Sequence, residues 1–145
     1  MRQELIFAPM GALVVLTFVV LTLVPVRRFR AAFAGKVRAQ DFKYGESARV
    51  PGDVSIPNRN YMNLLELPLL FYVLCLAQYV TAQVGMVTLV LAWVYVALRA
   101  LHSLIHLTRN NVMHRLVVFA ASNVVLGTMW VLFLVAVFVR PLFAA

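Results

Sequence analysis

Cysteine and acidic residues are scarce in this sequence, and the motifs of common soluble active sites are missing from it. Cys75 is the single cysteine among 145 residues, so the chain contains no disulfide framework of its own. No phosphate-binding glycine loop, cysteine pair or Ser/His/Asp arrangement is present, which argues against the enzyme classes that those motifs define. Hydrophobic residues, in contrast, make up 63% of the sequence, whereas soluble domains contain roughly 45–50%. We therefore predict an integral membrane protein.

Four apolar stretches are long enough to cross a bilayer, because about 20 helical residues span a hydrocarbon core of roughly 30 Å. We predict one all-α domain over residues 1–145, a four-transmembrane-helix bundle with approximate helix bounds 5–26, 58–80, 87–107 and 114–139. Helix 1 should end near Pro25, and Asn58 should cap helix 2. Pro68 should kink helix 2 just beyond Glu66. The first stretch is longer than the core of a typical signal peptide, so we expect it to be retained.

Basic residues cluster on every second connection, and this sets the expected orientation. Of the thirteen Lys and Arg, eight fall within residues 27–60, and Arg109 and Arg115 lie around the third connection. The second connection, residues 81–86, carries no charge. The positive-inside rule then places both termini on the non-cytoplasmic side of a bacterial inner membrane or an endomembrane. A basic cytoplasmic face suits anionic lipid or an anionic soluble ligand, and we expect no nucleic-acid partner.

A polar stripe runs along the predicted helix 2. Arg59, Asn63 and Glu66 are spaced i, i+4 and i+7, which places them on one helix face. A guanidinium, an amide and a carboxylate together suit a zwitterionic, peptide-like ligand, because each recognises a complementary group. The same side chains are also able to join neighbouring helices through hydrogen bonds, so both interpretations stay open.

A second stripe, Arg99, His102 and His106, shares one face of helix 3. Glu66 and Arg99 lie roughly 10 Å and 12 Å below the same membrane edge, given the rise of an α-helix. Ionisable groups at such depth usually pair or serve a site, so we predict a Glu66–Arg99 ion pair that forms the floor of a polar pocket. Two histidines also suit a metal or haem, but no cysteine or unpaired carboxylate accompanies them. We favour hydrogen bonding in a polar cavity and predict neither metal nor haem.

Arginines at the helix ends allow two interpretations each. Arg115 opens helix 4, where a cation opposes the helix dipole. It either anchors the helix in cytoplasmic water or forms, with free helix N–H groups, an anion site suited to stabilising a thiolate. Arg27, Arg28 and Arg30 follow helix 1 and serve either as interfacial anchors or as ligand contacts.

Taken in order, these residues resemble the MAPEG family, the membrane-associated proteins in eicosanoid and glutathione metabolism. The resemblance is carried by Arg59-x3-Asn63-x2-Glu66, then Pro68, then Arg99-x2-His102-x3-His106, then Arg115. The family includes microsomal glutathione transferases and prostaglandin E synthase.

The resemblance implies a homotrimer that binds glutathione, as co-substrate, between neighbouring subunits near the cytoplasmic side. Arg59, Asn63, Glu66 and His102 match positions that contact glutathione in the family, and Arg115 matches the arginine that holds its thiolate. We also include Arg99 and His106 among the predicted glutathione-binding residues. The implied activity is that of a glutathione-dependent transferase or peroxidase on lipophilic electrophiles that arrive from the membrane lipid. A non-catalytic lipid-binding or scaffolding trimer of the same fold is the alternative.

Two positions depart from the family pattern. His106 stands where family enzymes commonly have tyrosine, and Leu116 lacks the hydroxyl that some synthases carry there. Both departures weigh against eicosanoid synthesis more than against general thiol transfer.

Overall fold

The computed structural model of the protein describes residues 1–139, which are helical over most of their length. Its α-helices are α1 (Phe7–Phe33), α2 (Gly52–Leu65), α3 (Pro68–Val80), α4 (Met86–Leu107) and α5 (Val112–Leu134). Short 3₁₀ turns and a terminal π segment complete the helical structure, at Gln3–Ile6, Ala39–Phe42 and Val135–Val139. With α2 and α3 taken as one span, four helical spans are long and apolar enough to cross a membrane. The predicted all-helical chain with four membrane-crossing stretches is confirmed.

Helix α1 is longer than predicted, because Pro25 does not end it. The helix continues to Phe33, so Arg27, Arg28 and Arg30 lie on its last two turns instead of in a loop. A proline removes one backbone donor from a helix, and the turns on either side carry this helix past that gap. Arginine near a helix C-terminus also interacts favourably with the helix dipole.

Helix α2 also begins earlier than predicted, and Asn58 is not its cap. The helix starts at Gly52, where the carbonyl of Pro51 accepts from the N–H groups of Val54 at 3.0 Å and Ser55 at 3.2 Å. Asn58 therefore lies in the helix interior. The preceding residue, Pro57, also lies inside the helix, where it supplies no backbone donor.

The predicted interruption at Pro68 is confirmed, and it is a full break between α2 and α3. Glu66 follows the last residue of α2 with ψ −97°, outside the helical range, and α3 restarts with Pro68 as its first residue. The last carbonyls of a helix have no partner within it. Around this break, no backbone N–H of residues 1–139 bonds the carbonyl of Asn63, which leaves that carbonyl free for a side-chain donor.

The helices pack as neighbouring pairs around a small apolar core. Helix α1 lies along α2, α4 lies along α5, and α1 also contacts α4. At the centre, the ring of Phe71 stacks on that of Tyr95 with 4.7 Å between centroids. Many large apolar side chains point outward instead, among them Phe18, Leu69 and Val124. An apolar exterior of this kind suits acyl chains better than water.

The first connection, residues 34–51, packs against one end of the bundle. This end, where α1 and α4 finish and α2 and α5 begin, is here called the basic end. Arg28 pairs with Glu46 at 3.0 Å, and its guanidinium lies 4.5 Å from the centroid of the Phe42 ring. The backbone N–H of Arg38 holds the pKa of Asp41 below its usual range. The two contacts of Arg28 tie the connection to α1 and occupy that side chain.

Cys75 offers a simple test of the packing. Its thiol is fully buried in the core beside Phe71 and Leu74, so we expect a maleimide to leave it unlabelled in the native, detergent-solubilised protein. Denaturation should expose it to stoichiometric labelling, followed by mass spectrometry. Rapid labelling of the native protein would contradict the packing of α3.

Candidate functional site

A cavity opens at the basic end between α2, α4 and the start of α5. It has a volume of about 270 Å³ and is lined by Arg59, Asn63, His102, His106, Val112, Arg115, Leu116 and Phe119. Five of the seven residues that the sequence singled out therefore meet around one space. The other two, Glu66 and Arg99, are not among its lining residues.

Arg99 lies behind the cavity and is fully buried. Its Nη2 donates to the side-chain oxygen of Asn63 at 2.6 Å and to the main-chain oxygen of the same residue at 2.7 Å. The guanidinium also lies 5.6 Å from the centroid of the Phe119 ring. Arg99 thus joins α4 to α2 by supplying the donor that the break in α2 leaves missing.

The predicted ion pair between Glu66 and Arg99 is wrong for this subunit. Within residues 1–139 the ion pairs closer than 4 Å join Arg2 to Glu4 and Arg28 to Glu46. Glu66 is exposed on the outer surface of the subunit. Equal depth in the membrane was predicted from helical rise alone, but depth does not decide the partner: the two oxygens of Asn63, and not the Glu66 carboxylate, accept from Arg99.

His102 and Arg115 are joined across the α4–α5 interface. The Nδ1 of His102 lies 3.2 Å from the main-chain oxygen of Arg115. Arg115 is the fourth residue of α5, and the preceding Asn111 caps that helix by accepting from the His114 N–H at 3.0 Å. The first turn of α5 is therefore held with the Arg115 side chain against the cavity.

Asn110 was not predicted as a site residue, yet it holds the Arg115 side chain in place. Its Oδ1 accepts from Nη1 of Arg115 at 2.7 Å. The residue has φ +46°, a left-handed conformation that asparagine adopts more readily than most residues. An Asn-Asn pair between two predicted helices was the available signal, since asparagine is common in such turns.

Phe119 was also missed, and it forms the apolar wall of the cavity. Its ring centroid lies 5.7 Å from that of His102. It follows Arg115 by one helical turn, so the spacing i, i+4 was the signal in the sequence. Below the site, Ser103 donates to Oδ1 of Asn60 at 3.2 Å, a second buried bond between α4 and α2.

The lining is basic and partly apolar. Arg59 and Arg115 contribute two guanidiniums, and no Asp or Glu of residues 1–139 is among the lining residues. Guanidinium groups bind carboxylates through paired hydrogen bonds, and cations beside a thiol favour its ionised form. Leu116 and Phe119 offer an apolar surface next to these charges. The arrangement is suited to an anionic ligand whose reactive group lies beside an apolar partner.

Within residues 1–139 no third metal ligand joins the two histidines. Their rings lie edge to face with 5.8 Å between centroids. In the part of the chain that the structure describes, no three His, Cys, Asp or Glu side chains come together as metal ligands do.

Comparison with models of protein families identifies the family of the chain. The model of the MAPEG family matches residues 6–135 of the chain. This range contains all the residues that line the cavity, and the match confirms the resemblance drawn from the polar stripes and their spacing. Neither the curated proteins nor the solved structures give a match.

Proposed function

The chain belongs to the MAPEG family, and on that basis we propose that it is a glutathione-dependent membrane transferase or peroxidase. Its substrates would be lipophilic electrophiles that reach the site from the bilayer. The observation that carries the proposal is the single cavity in which Arg59, Asn63, His102 and Arg115 converge. An integral membrane protein with a basic, half-apolar cavity near one membrane edge is suited to join a soluble thiol to a lipid-soluble partner.

The charges of the cavity match those of glutathione. The tripeptide carries two carboxylates and one ammonium at neutral pH, so it has a net negative charge. We assign one carboxylate to Arg59, whose guanidinium offers paired N–H donors, and the other to Asn63, whose amide NH₂ is a neutral donor. His106 extends the polar wall towards the mouth of the cavity.

One subunit provides only part of the binding site. A volume of about 270 Å³ is slightly below the range of ligand pockets, which runs from about 300 to 1,000 Å³. Glu66, although exposed on this subunit, is a carboxylate within a membrane span, where contact with acyl chains is costly. We propose a homotrimer in which a neighbouring copy covers Glu66 and completes the site, with Glu66 available to the glutathione ammonium.

Arg115 is proposed to stabilise the reactive thiolate. A free thiol has a pKa of about 8.5 and is mostly protonated at neutral pH, and a nearby cation favours ionisation. The guanidinium is fixed through Asn110, so little reorganisation accompanies the appearance of the negative charge. In conjugation the thiolate sulfur attacks an electrophilic carbon, a C–S bond forms and the leaving group departs with the bonding electrons.

The same proposal gives the orientation of the protein in the membrane. The basic end would face the cytoplasm, where glutathione is available, with both termini on the opposite side of a bacterial inner membrane or an endomembrane. His106 and Leu116 at the cavity favour general thiol transfer over eicosanoid synthesis, since neither supplies a hydroxyl.

Calorimetry with glutathione on the detergent-solubilised protein tests the proposal. We expect saturable binding, together with conjugation of glutathione to a reactive aryl halide. Arg59→Gln should weaken binding by about 10- to 150-fold, because a charge-assisted hydrogen bond contributes roughly 1.5–3 kcal/mol and each 1.4 kcal/mol is a factor of about ten. Arg49→Gln, which alters an exposed arginine of the first connection outside the cavity, is the matched control and should bind like the wild type. The absence of binding heat up to millimolar glutathione would contradict the enzyme and favour the non-catalytic lipid-binding trimer.

A further inference from the structure

The hydrogen bond between His102 and α5 determines which ring nitrogen of His102 carries a proton. A main-chain carbonyl only accepts, so Nδ1, at 3.2 Å from the Arg115 oxygen, must be the donor. In the neutral imidazole the second nitrogen, Nε2, then holds an unshared electron pair. The fold thereby selects one tautomer and leaves the basic nitrogen on the far side of the ring from α5.

That basic nitrogen has no partner within residues 1–139. Nε2 of His102 forms no hydrogen bond there, and it is not among the unpaired atoms that are sealed from solvent. The residue is only 4% exposed, and the space that it borders is the cavity. The lone pair of Nε2 is therefore accessible from the cavity.

The titratable groups around the ring are all basic. Arg99 and His106 lie on the same helix, Arg115 faces the ring from α5 and Arg59 faces the cavity from α2. Phe119 covers the remaining side. None of these neighbours supplies a negative charge, so a proton accepted by His102 would need an anion in the cavity as its counter-charge. A thiolate formed beside Arg115 is such an anion.

We infer that His102 is the catalytic base of this site: Nε2 takes the thiol proton while the Arg115 guanidinium stabilises the sulfur. The inference rests on the proposed function. The S–H bond breaks, an Nε2–H bond forms, and an imidazolium–thiolate pair results. Arg115 acts twice, because its main-chain oxygen fixes the tautomer of the base and its side chain stabilises the product of proton transfer.

The proton has a defined destination in either reaction. In conjugation with an aryl halide, a C–S bond forms, the carbon–halogen bond breaks, halide leaves and His102 releases its proton to water. With a hydroperoxide, an S–O bond forms, the O–O bond breaks and the departing alkoxide takes the proton from His102 as alcohol. A second glutathione then reduces the resulting sulfenic acid, which yields glutathione disulfide and water. Both sequences return His102 to its neutral tautomer.

The wild-type protein allows a direct test. Glutathione binding is measured by calorimetry at neutral pH in buffers of different ionisation enthalpy, and the bound thiolate is followed by its ultraviolet absorbance. If His102 keeps the proton, the thiolate signal appears while the number of protons released to the buffer stays near zero. Release of about one proton per thiolate formed would overturn the assignment to His102 and leave the proposed function intact. Absence of any binding would contradict the proposed function itself.

Variants separate a catalytic base from a residue that only joins two helices. We expect His102→Gln to lower turnover at neutral pH by about 10²-fold, within the usual range for loss of general base catalysis. Its turnover should recover as the pH approaches the pKa of a free thiol, about 8.5, whereas damage to the structure would lower the rate at every pH. His114→Gln alters an exposed histidine in the first turn of α5, next to Arg115, and should leave turnover unchanged. A His102→Gln protein with the wild-type rate and pH profile would overturn the inference.

Discussion

Replacement of Arg115 by alanine should lower the rate of the proposed aryl halide conjugation by about 10²–10³-fold, the usual loss when one fixed donor to a developing anion is removed. The guanidinium is held by Asn110 at 2.7 Å and lines the cavity, so its charge is in place before the thiolate forms. Binding of glutathione should weaken much less than turnover, because the carboxylates are assigned to other residues. The rate under saturating glutathione measures the effect.

Arg109→Ala is the matched control for this experiment. Arg109 is an exposed arginine of the short connection that precedes α5, and it is not among the cavity residues. It should retain wild-type turnover, while both variants keep the elution volume of the wild-type assembly in size-exclusion chromatography. Normal turnover of Arg115→Ala would remove Arg115 from the mechanism. A similar loss in both variants would mean that the net charge of the connection, and not one positioned guanidinium, controls the rate.

Replacement of Asn63 by leucine should have the largest effect on stability. The buried Arg99 donates to both oxygens of Asn63, and leucine removes the side-chain acceptor while filling a similar volume. The loss of a buried hydrogen bond to a charged group costs roughly 1.5–3 kcal/mol. Within the spans no carboxylate of residues 1–139 lies within 4 Å of Arg99 to replace that bond. Thermal unfolding of the solubilised protein should show a clearly lower midpoint.

Glu66→Gln is the comparison variant, because the sequence predicts an ion pair between Glu66 and Arg99 whereas the structure has none. It removes a charge from a residue that does not pair with Arg99 within the subunit. We expect its unfolding midpoint to fall less than that of Asn63→Leu. If Glu66→Gln proves to be the more destabilising change, Arg99 depends on the carboxylate, and the sequence-based ion pair is correct after all.

The local pattern of the sequence is sufficient to predict the membrane-crossing stretches and many of the site residues. Hydrophobic runs of helical length predict the crossings, because the bilayer imposes both the length and the internal hydrogen bonding of each segment. The i, i+4 spacing places Arg59 and Asn63 together on one face, and Pro68 predicts the break because a proline cannot donate the next backbone bond. The order of these residues also resembled the family whose model matches the chain.

The sequence by itself determined that the chain has four stretches able to cross a membrane and that one end carries most of the basic residues. Only the tertiary structure decided which polar groups meet. Glu66 is exposed, and Arg99 donates instead to the side-chain and main-chain oxygens of Asn63, the latter left free next to the helix break. The bond that selects the tautomer of His102 comes from a main-chain oxygen of α5. Every residue carries such an oxygen, so no residue type in the sequence marks this contact, and only the approach of the two helices creates it.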